Sequence, residues 1–154
     1  MSKPRVLIVA GSKSDMPTVN GSMNILDQLK IAYDMKIASA HRTPKVVMQM
    51  AHGAEKKYDV VIALAGGAAH LPGVIAASTP IPVIGVPVET KPLSGFDSLY
   101  SIVQMPTGIP VATVAIGGSK NAAILAAQIL SVKYPKIRNS IKQLKKKMEK
   151  GFKL

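Results

Sequence analysis

The sequence predicts an α/β domain with a central parallel sheet and helices on both faces. Residues 5–10 and 59–65 are continuous apolar runs, which are typical of strands buried on both faces of a parallel sheet. Segments with apolar residues at helical spacing alternate with such runs along the chain. Because strands and helices that alternate in this way join through right-handed crossovers, we expect a three-layer α/β/α, flavodoxin-like domain.

The individual elements follow from local patterns. Residues 15–30 carry apolar side chains at three- and four-residue spacing and predict a helix, whereas residues 31–38 alternate loosely and predict a strand. Thr43 is expected to cap a helix that begins at Pro44, and a glycine-rich turn leads into a small-residue helix within residues 66–77. The other predicted elements are strands at 82–86 and 111–116, a helix at 121–130 and an extra C-terminal helix after the break at Pro135.

Length and composition limit the domain organisation and the chemistry. A chain of 154 residues, 47% of them hydrophobic, is the size of one domain with a sizeable core. We expect residues 1–132 to form the flavodoxin-like domain and residues 133–154 to be its basic C-terminal helix or tail. The absence of cysteine excludes disulfides, thiolate zinc sites and cysteine nucleophiles. Only residues 1–4 precede the first apolar run at 5–10, which is too short for a signal segment, so the expected location is the cytoplasm.

The positive charge of the chain is concentrated at its C-terminal end. Nine of the 20 lysine and arginine residues lie within residues 133–154, beside a single acid, Glu149, and the whole chain carries a net charge of +12. The tail offers Tyr134 and Phe152 but no recognisable nucleic-acid motif. This distribution is typical of a solvated helix face and argues against specific nucleic-acid binding.

Two C-terminal segments favour a homo-oligomer. Residues 121–130 are apolar around nearly the whole helix circumference, with Gln128 as the exception, and such a helix needs cover on every side. An apolar stripe on the last helix also needs a partner surface; it consists of Ile137, Ile141, Leu144 and Met148. The alternative is that the body of the same domain covers both helices.

Three loops follow predicted strands, where the sites of parallel α/β sheets lie. In the first loop, Gly11 permits a tight turn, and Ser12, Ser14 and Asp15 suit a phosphate or ribose. Helix capping explains Ser14 and Asp15 equally well. The loop therefore leaves two interpretations open.

The second and third loops contain two of the three histidines. In the second loop, His41 can exchange a proton near neutral pH, and Arg42 offers a forked cation for a phosphate beside Ser39. The third loop, residues 66–73, has small side chains that leave room for a ligand, and it contains His70. Two roles for His70 remain open: its side chain forms a hydrogen bond with the reacting group, or it is a buried structural histidine that forms a hydrogen bond with the backbone. His52 lies within a helix, and we expect it at the surface with no role.

Five segments of the chain are distinctive: GSKSD (11–15), SAHRTP (39–44), AGGAAHLPG (65–73), PVIGVPV (82–88) and SGFDSLYSIVQMPTGIPVATVAIG (94–117). Together, and in this order, they resemble the N5-carboxyaminoimidazole ribonucleotide mutases of purine biosynthesis. With residues 121–130 added, the resemblance covers about residues 5–130. It implies a flavodoxin-like fold, a homo-octamer, no metal and no organic cofactor.

The resemblance also implies roles for the loop residues. Ser12, Asp15 and Arg42 would bind the ribonucleotide, with Arg42 on its phosphate, Asp15 on its ribose, and Ser14 and Ser39 assisting the phosphate. His41 would be the catalytic histidine. The third loop would enclose the imidazole ring and carbon dioxide; its members are Gly67, Ala68, His70 and Leu71.

The implied reaction moves a carboxylate from the exocyclic nitrogen to a ring carbon, giving 4-carboxyaminoimidazole ribonucleotide on the route to IMP. A related class carboxylates aminoimidazole ribonucleotide directly, but it typically has a lysine after the catalytic histidine and lacks the AAHLPG run. A non-enzymatic alternative is a phosphate-binding regulatory module of the same fold. Receiver modules of that kind cluster acids to hold magnesium, whereas Asp15 has no second acid beside it and no acid lies at the end of the third predicted strand.

Overall fold

The centre of the structure, a computed structural model that describes residues 3–154, is a five-stranded sheet. Its strands run in the order β2-β1-β3-β4-β5, and every neighbouring pair is parallel. The strands are β1 (Arg5–Ala10), β2 (Ala32–Ile37), β3 (Val60–Gly66), β4 (Val83–Val88) and β5 (Ala112–Thr113). Residues 1–2, the start of the segment that precedes the first apolar run, lie outside the described residues.

Six α-helices connect and flank the strands. They are α1 (Met16–Gln28), α2 (Pro44–Ala54), α3 (Leu71–Ala76), α4 (Phe96–Val103), α5 (Ser119–Ser131) and α6 (Pro135–Glu149), and a short 3₁₀ turn, Lys13–Asp15, precedes α1. Within residues 3–154, no helix combines the length and apolar character needed to cross a membrane.

The sheet separates two hydrophobic cores, as the alternation of side chains along a strand requires. In β1, Val6 and Ile8 pack with α1, α5 and α6, whereas Leu7 and Val9 pack with α2, α3 and α4. These four side chains are at most 1% exposed. The continuous apolar run of β1 therefore identifies a strand buried on both faces, and the three-layer fold expected from the sequence is confirmed.

Three expectations about individual elements need correction. The strand expected at 111–116 is reduced to Ala112–Thr113, a short edge strand that pairs with β4 at two positions. The helix α4 was not expected, although Phe96, Leu99, Tyr100 and Val103 have helical spacing. The surrounding prolines and glycines obscure that signal. Thr43 does occupy the first position before α2, but its side chain does not cap the helix.

The two apolar C-terminal helices are covered by their own chain. Helix α5 packs against α1, α6, β3 and β4. Its alanines Ala122, Ala123, Ala126 and Ala127 are fully buried, and Ile124, Leu125 and Ile129 are half-buried against the same core. Ile137, Ile141 and Leu144 of α6 are also buried, whereas Met148 is exposed. A single chain thus supplies the cover that the sequence suggested a second copy would provide.

A cluster of polar residues joins β1, β2 and the start of β3. Asp34 Oδ1 accepts a hydrogen bond from Arg5 Nη2 at 2.6 Å, and Asp34 Oδ2 accepts from Tyr58 Oη at 2.7 Å and Lys57 Nζ at 2.9 Å. These donors, Tyr58 first, followed by Lys57 and Arg5, hold the pKa of the Asp34 carboxyl well below its usual value. Asp34 thus ties an edge strand of the sheet to the interior.

We expect Asp34→Asn to lower the free energy of unfolding by about 1–2 kcal/mol near neutral pH, because the amide keeps the shape but loses the charge-assisted bonds. The native pKa is lowered, so this stabilisation is present above the unfolded aspartate pKa of about 3.9 and is lost as the pH falls through the native pKa. Urea unfolding at about pH 7 and about pH 3 should therefore show a difference that narrows in acid.

Asp27→Asn is the matched control, because Asp27 accepts a longer bond of 3.2 Å from Tyr33 in an exposed position. A loss for Asp34→Asn that is the same at both pH values would contradict the assignment of the stabilisation to the carboxylate charge.

Candidate active site

The three strand-end loops meet in one cleft, because β2, β1 and β3 are neighbours and their carboxyl ends lie at the same sheet edge. The cleft has a volume of about 370 Å³. It is lined by Gly11, Ser12, Ser14, Asp15, Ser39, Ala40, His41, Arg42, Ala65, Gly66, Ala68, His70, Leu71 and Thr90. Of the site residues expected from the sequence, Gly67 is the one that does not line this cleft.

The first loop is built as a capping box, in which the capping serine is Ser12 rather than Ser14 and Asp15 is the acidic partner. Ser12 Oγ accepts a hydrogen bond from the Ser14 backbone N–H at 3.3 Å, and Asp15 Oδ2 accepts from the Ser12 backbone N–H at 3.0 Å. The Ser14 hydroxyl donates to Ser12 Oγ at 3.0 Å. Both serines still line the cleft, so capping and ligand binding are compatible in this loop.

Asp15 is the acid of the cleft and is 7% exposed. Burial raises the pKa of its carboxyl, while the Ser12 backbone bond, the Ser14 side chain and the Arg42 charge act in the opposite direction. The Oδ2 atom of Asp15 already accepts the hydrogen bond from the Ser12 backbone N–H. The capping box therefore fixes the orientation of the Asp15 carboxyl group.

The second loop is fixed by bonds between Ser39 and the residues that follow it. Thr43 Oγ1 accepts from the Ser39 backbone N–H at 2.9 Å and donates to the Ser39 carbonyl at 3.1 Å, which explains why it does not cap α2. Ser39 Oγ accepts from the Arg42 backbone N–H at 3.2 Å. The Arg42 side chain reaches back to the first loop, where Nη2 donates to the Gly11 carbonyl at 3.3 Å. The guanidinium group remains exposed to the cleft.

The third loop turns at Gly67, whose φ of 62° favours glycine. A side chain at Gly66 would lie 2.8 Å from Thr90 Cγ2, so the absence of a Cβ lets the loop after β4 approach closely. Thr90 is the lining residue that the sequence analysis missed. The sequence could have indicated Thr90 by its position two residues beyond β4, because residues that follow the other strands also line the cleft.

The two histidines of the cleft contact each other. His41 Nε2 lies 2.7 Å from His70 Nδ1, and the rings meet edge to face with centroids 4.8 Å apart. At that distance, one nitrogen donates a proton and the other accepts it. Both rings are exposed in the cleft, and His52 lies elsewhere, exposed on α2. The arrangement can move a proton at the mouth of a small-residue pocket that also presents an arginine.

Comparison with known proteins identifies the family. A family model described as AIR carboxylase matches residues 5–151. The chain belongs to the AIR carboxylase family. The matched residues include all three loops of the cleft.

Relatives and solved structures agree with that membership. The chain is 54% identical over 148 residues to proteins named N5-carboxyaminoimidazole ribonucleotide mutase from Pyrococcus abyssi and Thermotoga maritima, covering 96% of this chain and 85% and 86% of theirs. A mutase of the same name from Haemophilus influenzae is 57% identical over 135 residues, which cover 85% of this chain and 82% of that one. The crystal structure of Treponema denticola PurE superposes with a TM-score of 0.89 at 31% identity, covering 97% of this chain and 94% of that one.

We expect Arg42→Lys to raise KM about 5- to 150-fold, the equivalent of about 1–3 kcal/mol, because lysine keeps the charge but cannot make a two-pronged contact with a phosphate. If the phosphate is held equally throughout the reaction, kcat should change little. Steady-state kinetics with the ribonucleotide that the sequence resemblance implies measure both constants.

The matched control is Arg138→Lys, since Arg138 binds the Ser131 and Val132 carbonyls at the end of α5 rather than the cleft. An unchanged KM in Arg42→Lys would assign the phosphate to another group.

Proposed function

We propose that this protein is an N5-carboxyaminoimidazole ribonucleotide mutase, an isomerase of de novo purine biosynthesis that forms 4-carboxyaminoimidazole ribonucleotide. The observation that carries the proposal is 54% identity to proteins of that name over 148 residues. The cleft is consistent with it: its volume of about 370 Å³ lies within the range of small-molecule sites.

The substrate would lie across the three loops. Arg42, with the hydroxyls of Ser14 and Ser39, would hold the phosphate at the exposed side of the cleft, as a forked cation beside hydroxyls suits that anion. Asp15 would accept hydrogen bonds from the ribose hydroxyls, since a carboxylate repels a phosphate, and Ser12 would assist. The imidazole ring and carbon dioxide would occupy the third loop, bordered by Ala68, His70 and Leu71, with Gly67 shaping the turn behind them.

His41 would act first as an acid and then as a base. As imidazolium it protonates the exocyclic nitrogen while the carbon–nitrogen bond of the carbamate breaks, which releases carbon dioxide beside the ring. The ring carbon attacks that carbon dioxide, and a new carbon–carbon bond forms. Neutral His41 then removes the proton from the tetrahedral ring carbon and restores aromaticity. Trapping carbon dioxide next to the ring raises its effective concentration.

Direct carboxylation of aminoimidazole ribonucleotide is the alternative within the family. Two features of the cleft loops favour the mutase. Arg42 follows His41 at the position where the direct class typically has lysine, and the AAHLPG run is complete at residues 68–73. The regulatory-module alternative is not favoured, because the relatives at more than half identity are named as enzymes.

The test of the proposed function is turnover of the carbamate substrate by the purified chain without bicarbonate or ATP. We expect the wild-type protein to form 4-carboxyaminoimidazole ribonucleotide, and His41→Asn to bind the ribonucleotide but lose at least about 10²-fold in kcat, the value of one acid/base step. Asparagine keeps a hydrogen-bonding shape and cannot exchange protons near neutral pH. The pH dependence of the wild-type rate should be absent from the residual rate of His41→Asn.

His52→Asn is the matched control: it is the same substitution at an exposed histidine outside the cleft, and its activity should equal that of the wild type. Product formed only from aminoimidazole ribonucleotide with bicarbonate would establish the direct carboxylase instead. Retention of more than about a tenth of kcat in His41→Asn would remove His41 from the proton transfers.

The homo-octamer is also part of the proposal, and it rests on the resemblance to the mutases. The surface that we propose for it is not the alanine face of α5, which is buried within the chain, but the exposed apolar side chains on and before α4. Leu93, Phe96, Tyr100 and Val103 are between 47% and 60% exposed. In the proposed octamer, other copies of this chain would cover this apolar surface.

We expect light scattering to give the mass of an octamer, and Tyr100→Glu to lower that mass because a charge would be buried without a partner in the interface. Lys145→Glu, on the exposed face of α6, is the control and should leave the mass unchanged. Ala126→Asp is unsuitable for this purpose, since Ala126 is fully buried within the single chain and its replacement would damage the fold itself. A monomer at micromolar concentration would contradict the octamer.

The remaining parts of the proposal concern location and partners. A cytoplasmic location agrees with the absence of cysteine and with a ribonucleotide substrate. The basic tail, residues 133–154, is expected to be a solvated face of the same domain rather than a specific nucleic-acid surface, because Ile137, Ile141 and Leu144 pack it against α5. The reaction as proposed uses no metal and no organic cofactor.

A further inference from the structure

The contact between the two histidines engages one nitrogen of His41 and leaves the other for the substrate. His41 Nε2 faces His70 Nδ1 at 2.7 Å, so Nδ1 is the His41 nitrogen that remains free for a ligand in the cleft. A group that serves as an acid and then as a base at one atom has to keep its other nitrogen in a constant state. For His41, the proton on Nε2 must therefore remain while Nδ1 gains and loses its own.

From this geometry we infer that His70 is a positioning residue: its Nδ1 accepts a hydrogen bond from His41 Nε2–H, which leaves His41 Nδ1 to exchange protons with the substrate. In this arrangement His70 stays neutral and carries its own proton on Nε2. As imidazolium, His41 donates from Nδ1 to the substrate and from Nε2 to His70; as neutral imidazole, it keeps only the second bond. The tautomer of a working histidine is set by the bond its other nitrogen makes.

The backbone around the pair supports this assignment of roles. The backbone of His70 is held by two hydrogen bonds: its backbone N–H donates to the Ala68 carbonyl at 2.8 Å, and its carbonyl accepts from the Val74 backbone N–H at 3.0 Å. The adjacent residues Ala69 and Leu71 are 1% and 2% exposed. His41 lies in an exposed turn between the half-buried Ala40 and the exposed Arg42. The backbone of His70 is therefore set by its own loop, which suits its side chain as a partner for the His41 ring.

Nitrogen-15 spectra of the wild-type protein test the direction of the bond without any requirement for activity. The chain has three histidines, so His52→Asn and His70→Asn assign the signals. In spectra recorded at about pH 8, we expect His41 to carry its proton on Nε2 and to have an unprotonated Nδ1. A proton on His41 Nδ1, with Nε2 accepting from His70, would overturn the inference.

Two amide substitutions test the positioning role in the mutase reaction. The side chain of His70→Asn places an acceptor oxygen near the position of Nδ1, whereas that of His70→Gln places it near Nε2. We expect His70→Gln to lower kcat about 10- to 100-fold, the usual effect of losing an orienting partner, and His70→Asn to lower kcat by less than His70→Gln does. KM should change less than kcat in His70→Gln, because the proposed phosphate and ribose contacts lie on other residues.

The pH profile separates positioning from proton exchange. Both His70 variants should keep the pH-dependent limb that His41→Asn loses, since both retain the His41 imidazole. A His70→Asn protein as inactive as His41→Asn, with a flat profile, would show that His70 itself exchanges protons with the substrate; full activity of His70→Gln would show that the contact has no role. The kinetic part rests on the proposed function, and absence of mutase activity in the wild type would refute that function while leaving the nitrogen-15 result to decide the bond.

Discussion

The structure depends on one constraint: all strands of the sheet are parallel, so every strand ends at the same edge. With β1 between β2 and β3, the residues that follow these three strands are brought together although they are separated by about 30 positions in the sequence. The bond from Arg42 to the Gly11 carbonyl and the contact of His41 with His70 both cross between strand ends. The cleft is thus a direct result of strand order, and the loops only select its chemistry.

The polar residues of the cleft have two tasks. Ser12 and Asp15 close a capping box, and Ser39 holds the turn that carries the histidine and arginine. Each of these bonds fixes a side chain that the proposed mechanism also assigns to the substrate. Structural and functional interpretations of such residues are therefore not competing explanations, since a residue fixed by its own loop presents a ligand with a group that is already oriented.

Much of this arrangement could be predicted from the sequence, and what could not has physical reasons. The double-sided burial of β1 produces a continuous apolar run, and the turn residues after each strand are chemically distinctive, so the sheet and the three loops could be located. The bond between His41 and His70 could not, because it depends on side-chain rotamers across two loops 29 positions apart. The cover of α5 also escaped prediction: a helix that is apolar all round shows that cover exists, and only tertiary packing shows that α1 and α6 provide it.

The exposure of both histidines has a consequence for the gas that the proposed reaction releases. Carbon dioxide has to be shielded from bulk water until the ring carbon attacks it, yet His41, His70 and Ala68 form an open rim in the single chain. The single chain leaves the cleft open to solvent at this rim. In the proposed reaction the bound ribonucleotide, with or without a neighbouring copy of the chain, therefore has to block the access of water. If the bound substrate closes the cleft, part of the substrate encloses the site of its own reaction. A shortened substrate would then lose carbon dioxide to solvent even if its ring were placed correctly.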